Sequence, residues 1–159
     1  MTESPSNATT GPRPGGAVSL GDALVRIHDD LRVRLAALRE EVLAFLDGRQ
    51  PAPDLAAQLR EHCTEVCGAL GEHHDNEETR GFPLLEREAP HLAPVLDRLR
   101  REHVEVERAR RNLQALLDDL GAADPERVRA ELDRVTARLD AHFAYEEEQL
   151  RGALNGISV

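Results

Sequence analysis

His73 and His74 are followed within one helical turn by Glu77 and Glu78, and the group closes an apolar segment with helical period. At about 100° per residue, Glu77 projects roughly 40° from His73 and His74 about 100°, so the carboxylate falls between the two imidazoles. Leu59, Val66 and Leu70 project within about 60° of His73, which puts His73 and Glu77 on the buried face of their helix. A buried carboxylate is costly unless a positive charge meets it, and imidazole nitrogens beside it make a metal ion the expected counter-charge. The competing reading is a solvated charge run at a fraying helix end.

Four helices are expected to position this group. The first runs from about Ser19, as N-cap, to Asp47 ahead of Gly48, with Leu20, Leu24, Leu31, Leu35, Leu38 and Val42 as its apolar stripe and His28 on it. The second spans about Asp54 to Arg80 and stops before Gly81 and Pro83. A third starts near Pro90 and reaches Leu120, with His103 inside its stripe. The fourth opens at Asp124-Pro125 and continues to about Gly152, carrying His142 and Glu146 on its apolar face. The fold class is therefore all-α, an up-down-up-down four-helix bundle over residues 18–154. It is preceded by a disordered tail at 1–17, rich in Ser, Thr, Pro and Gly, and followed by a short tail at 155–159.

In that topology the start of helix one, the end of helix two, the start of helix three and the end of helix four share one end of the bundle. His28, His73, His103 and His142 lie roughly five to thirteen residues from it, close enough at about 1.5 Å per residue to meet in one layer. A single histidine on an apolar face is usually a satisfied core residue. Four in one layer, two of them followed four residues later by glutamate, point to a metal site. The expected ligands are His28, His73, His74, His103 and His142 as terminal donors, with Glu77 and Glu146 as bridges between two ions. His62 lies about 16 Å along the axis from His73, and His91 is similarly displaced from His103, so both fall outside the set. Mixed nitrogen and oxygen donors without thiolate suit iron best, manganese next and zinc third.

The remaining composition narrows the class of protein. All 20 basic residues are arginine against 30 acidic ones, and the net charge of -10 argues against nucleic acid or an anionic membrane as partner. No apolar run is long enough to span a bilayer and no signal-peptide pattern opens the chain, so a soluble, cytoplasmic protein is expected. Cys63 and Cys67, one turn apart, read as reduced core thiols.

IHDDLR around His28, HHDNEE followed by GFPLLE, REHVEVE around His103 and HFAYEEE around His142 resemble, in order and interval, the hemerythrin-like family, the HHE cation-binding domain, over about residues 20–152. The chain looks closer to its bacterial and iron-sensing members than to the invertebrate oxygen carriers. The resemblance implies two carboxylate-bridged iron ions in a four-helix bundle, with dioxygen or peroxide as partner. The oxygen carriers place two histidines four residues apart on the third helix, whereas His103 is followed at that spacing by Glu107. Glu107 is then a carboxylate ligand or, the favoured reading, a solvated residue, with His74 supplying the missing nitrogen. Tyr145 either points its hydroxyl at the open side of the metals or packs locally. The functions that follow are oxygen binding or handling; a di-iron oxidoreductase acting on a small molecule or on peroxide, if the protein is an enzyme; and an iron, oxygen or redox sensor.

Overall fold

The computed structural model describes residues 19–48, 55–119 and 124–157; the tail expected at 1–17 lies outside them. Helix α1 spans Leu20–Leu46 and α2 spans Leu55–Asn76. A π-helical turn, Glu77–Gly81, joins α2 directly to α3, Phe82–Glu88. After a 3-10 turn at Pro90–Leu92 come α4, Ala93–Asp118, and α5, Pro125–Asn155. No strand occurs among the described residues. The α2–π–α3 arm counts as one rod, and the four rods form an antiparallel bundle in which α1 packs on α2 and α5, and α4 packs on α2 and α5.

The second helix does not stop before Gly81 and Pro83. The Phe82 N–H bonds to the Glu77 carbonyl five residues back, so the backbone widens by one residue where a proline would otherwise collide with the preceding turn. Pro83 then sits in the first turn of α3, where its missing N–H is not needed. The wider turn also brings Phe82 and Leu85 onto the buried face that Leu70 and His73 occupy further up.

The other helix ends follow their local chemistry. Ser19 occupies the N-cap of α1, but its side chain makes no capping bond. Gly48 takes φ 67°, the left-handed conformation that glycine adopts without strain, just after α1. The Asp124 side chain accepts a 3.1 Å bond from the Glu126 N–H and caps α5. Helix α5 continues past Gly152 to Asn155, and there Arg151 and Asn155 hold Asp22 at the start of α1 through bonds of 2.8–3.3 Å. Gly21 allows that approach, since a Cβ on it would collide with the Arg151 carbonyl.

Apolar packing divides into two bodies. One runs through the closed half of the bundle, from Leu31, Leu70, Val106 and Leu139 down to Val42, Leu117 and Val128. The other fills the opposite end with Leu24, Phe82, Leu85, Leu96, Leu99 and Leu150. Between Leu24 and Leu31, between Leu70 and Phe82, between Leu99 and Val106, and between Leu139 and Leu150 lies a buried polar layer.

Candidate metal centre

The layer contains His28, His73, His74, Glu77, His103, His142 and Glu146, all buried, with His28 and Glu146 at 0% exposure. Every rod contributes: α1 supplies His28, α2 and its π turn supply His73, His74 and Glu77, α4 supplies His103, and α5 supplies His142 and Glu146. Two groups of donors form. Ligand atoms of His74, Glu77, His103 and His142 lie within 4.8 Å of one another, as do those of His28, His73, Glu77 and Glu146. Glu77 belongs to both.

The distances show how the carboxylates sit between the groups. Glu77 Oε1 is 3.2 Å from His73 Nε2 and 3.4 Å from His103 Nε2. Glu146 turns Oε1 toward His28 Nε2 at 3.4 Å and Oε2 toward His142 Nε2 at 3.2 Å. His28 and His73 aim their Nε2 atoms at each other across 3.1 Å. His74 stacks on His103 at 4.0 Å and meets His142 edge-on at 5.3 Å.

The donor set fits a cation. Among the described residues eight buried side-chain N or O atoms lack a hydrogen-bond partner, and seven of these are in this layer, on His28, His74, Glu77, His103, His142 and Glu146. Unpaired buried polar atoms are strongly disfavoured, and seven in one layer call for something that accepts lone pairs. Burial holds the imidazoles of His73 and His74 neutral, with pKa values near 4 and near 2, and lowers that of His103. Neutral imidazole is the form that binds metal. Burial opposes charge on His142 as well, but the adjacent carboxylates of Glu146 and Glu102 outweigh it and raise its pKa. Burial and the neighbouring Glu146 push the Glu77 carboxyl well up, whereas the proximity of Glu77, His142 and His28 overcomes burial and holds Glu146 well down.

Three carboxylates stand behind the imidazoles. His142 Nδ1 meets Glu102 Oε1 at 3.0 Å, His103 Nδ1 meets Glu78 Oε1 at 3.0 Å, and His28 Nδ1 lies 3.6 Å from Glu147 Oε2. Arginines hold two of them in turn, Arg98 on Glu102 at 3.2 Å and Arg32 on Glu147 at 2.6 Å. Such carboxylate partners orient a ligating imidazole and raise its basicity. Phe143 stacks on His28 at 4.2 Å and fixes the ring from its other side. No spacing within a single helix reveals Glu102, because it serves a histidine on another rod. Glu147 adjoins Glu146 in sequence, the one local signal for it.

The residues left open by spacing also find places. Glu107 turns away from both donor groups and pairs with Arg110 and Arg111 at 2.7 and 3.1 Å. Tyr145 lies under Arg98, whose guanidinium is 3.8 Å from the ring centre, and packs against the apolar cluster that includes Leu150. His62 pairs with Glu41 at 2.7 Å, far from the layer, and His91 is exposed. Cys63 and Cys67 are unpaired thiols in contact at 3.6 Å.

A buried layer of five imidazoles and two carboxylates between the apolar halves of a four-helix bundle defines a helical-bundle protein able to bind cations. Residues 19–154 match the family model of the hemerythrin HHE cation binding domain, and the chain belongs to that family. Domains of this family bind metal cations, typically iron. No curated protein and no solved structure matches the chain. No helix among the described residues is long and apolar enough to cross a membrane.

Proposed function

We propose that this chain is a non-haem di-iron protein that binds and handles dioxygen or peroxide. In this reading His74, His103 and His142 would hold one iron and His28 and His73 the other, with the carboxylates of Glu77 and Glu146 completing the two donor groups. The observation that carries it is the sharing of Glu77 between two donor groups in a layer with seven unpaired buried atoms. An iron pair, when bound, supplies the electrons that let dioxygen or peroxide react. The protein's own contribution is to present neutral imidazoles and to hold two buried carboxylates among them, between two apolar clusters.

The second reading is a di-iron oxidoreductase. It is favoured by the single histidine on α4, with Glu107 held by arginines, and by an apolar cleft that opens beside His73 and Glu77. A donor set with five nitrogens leaves coordination positions open for a reactant.

Elemental analysis of the purified protein, with visible spectra in air and under nitrogen, tests both. About two irons per chain and an oxygen-dependent absorption band are expected, and His73→Ala combined with Glu77→Ala should lose both. Zinc alone, or no stoichiometric metal from iron-replete cells, would sink the reading. Reversible spectral change then marks oxygen binding, and irreversible oxygen consumption with an added reductant marks oxidation.

A further inference from the structure

The metal layer meets the surface on two chemically different sides. Along α4 it is lined by charged side chains: between α4 and α5 a cleft of about 220 Å³ bounded by Arg98, Glu102 and Arg138 reaches His142. A second, of about 510 Å³ and bounded by Asp75, Glu78 and Arg108, reaches His74 and His103. Water and protons have ready access there. Between α1 and the π turn the opening is apolar. A cleft of about 330 Å³ runs to His73 and Glu77 between walls of Leu24, Ile27, Phe82, Leu84 and Leu150. Ile27, on its rim, stays 45% exposed.

One guanidinium lines this cleft. Arg80 stands on the π turn three residues after Glu77 and has no ion-pair partner among the described residues, although acidic residues outnumber arginines 30 to 20 in the chain. A diatomic gas requires neither this volume nor a cation. The volume lies in the range of small-molecule sites, whose pattern is apolar walls with a few placed polar groups.

We infer that this cleft binds an amphipathic monoanion, a medium-chain aliphatic or arylaliphatic carboxylate, with its carboxylate on Arg80 and its tail among Leu24, Ile27, Phe82 and Leu150. The tail then lies at the His73–Glu77 edge of the layer. Binding depends on the cleft alone; a role for the ligand as substrate rests on the di-iron reading above. Arg80 sets the register of the chain, and the π turn sets Arg80.

Calorimetric titration of the purified protein with hexanoate, heptanoate and octanoate, with 1-octanol as the uncharged probe, tests this. Each added methylene should tighten binding about fourfold. Arg80→Gln should weaken octanoate by about fivefold, the upper range for an exposed ion pair, and leave octanol unchanged. Ala23→Phe, which fills the half-buried rim of the cleft, should weaken both probes at least about tenfold. The inference is overturned if octanoate does not bind saturably, if chain length has no effect, or if Arg80→Gln and Ala23→Phe bind both probes like the parent protein. Iron is measured on the same samples. Two irons without octanoate binding would overturn this inference alone, and octanoate binding without iron would overturn the metal reading alone.

Discussion

At the scale of single residues the layer is built from groups that are stable only in company. Glu146 is fully buried with its oxygens 3.2–3.4 Å from imidazoles on two different rods, and Glu77 approaches two imidazoles in the same way from the π turn. Behind them Glu102 holds His142 by Nδ1 and leaves Nε2 pointing inward, so the tautomer of the ring is set by a residue that never enters the layer. Glu102→Gln keeps the shape but removes the charge that makes the imidazole a better donor. Iron binding in that variant should weaken about tenfold to a hundredfold, measured by competition with a coloured chelator. Glu107→Gln, which touches only Arg110 and Arg111, should leave iron affinity unchanged. Equal affinities for the two variants would show that the outer carboxylate does not tune the site.

At the scale of elements the π turn is the least legible feature in the sequence and the one on which the site's geometry depends most. Apolar period and histidine spacing identify the four rods and the inward faces of His28, His73, His103 and His142, because burial repeats every three to four residues. Gly81 and Pro83 read as a stop because a proline cannot continue an ordinary helix. Here the chain continues because one extra residue in the turn absorbs the proline and returns Phe82 to the core. Glu78 reaches His103 from the same turn. Thr79 is exposed, its hydroxyl donating to the Asp75 carbonyl at 2.7 Å, so it can be deleted without emptying the core. Its deletion should close the turn to α-helix with Phe82 and Leu85 still in register, and drive the Pro83 ring against the carbonyl one turn back. That collision should lower unfolding free energy by about 3 kcal/mol in urea denaturation. Unchanged stability in the deletion variant would mean that Pro83 does not require the wider turn.

At the scale of the whole molecule the polar layer divides the apolar interior into two bodies, and the bundle without metal has a weak plane where they meet. The closed half, around Val42, Leu117 and Val128, is a continuous core that holds without help from the layer. The other end joins it through the histidines and glutamates and through the Asp22 clamp on Arg151 and Asn155. A cation that binds only the folded chain stabilises it in proportion to the logarithm of its concentration over Kd, about 4 kcal/mol at a thousandfold excess. For a chain of this size each kcal/mol moves Tm by about 2–4 °C, so stripping one such ion should lower Tm by about 8–16 °C. Hydrogen exchange should show where the loss falls. Amides around His28, His73, His103 and His142 and in the π turn should lose protection when iron is removed, while those around Val42, Leu117 and Val128 keep theirs. A uniform loss along the chain would mean that metal stabilises the bundle as one cooperative unit rather than joining two halves. No shift in Tm on complete removal of iron would mean that the seven unpaired atoms find other partners and that the layer does not depend on an ion.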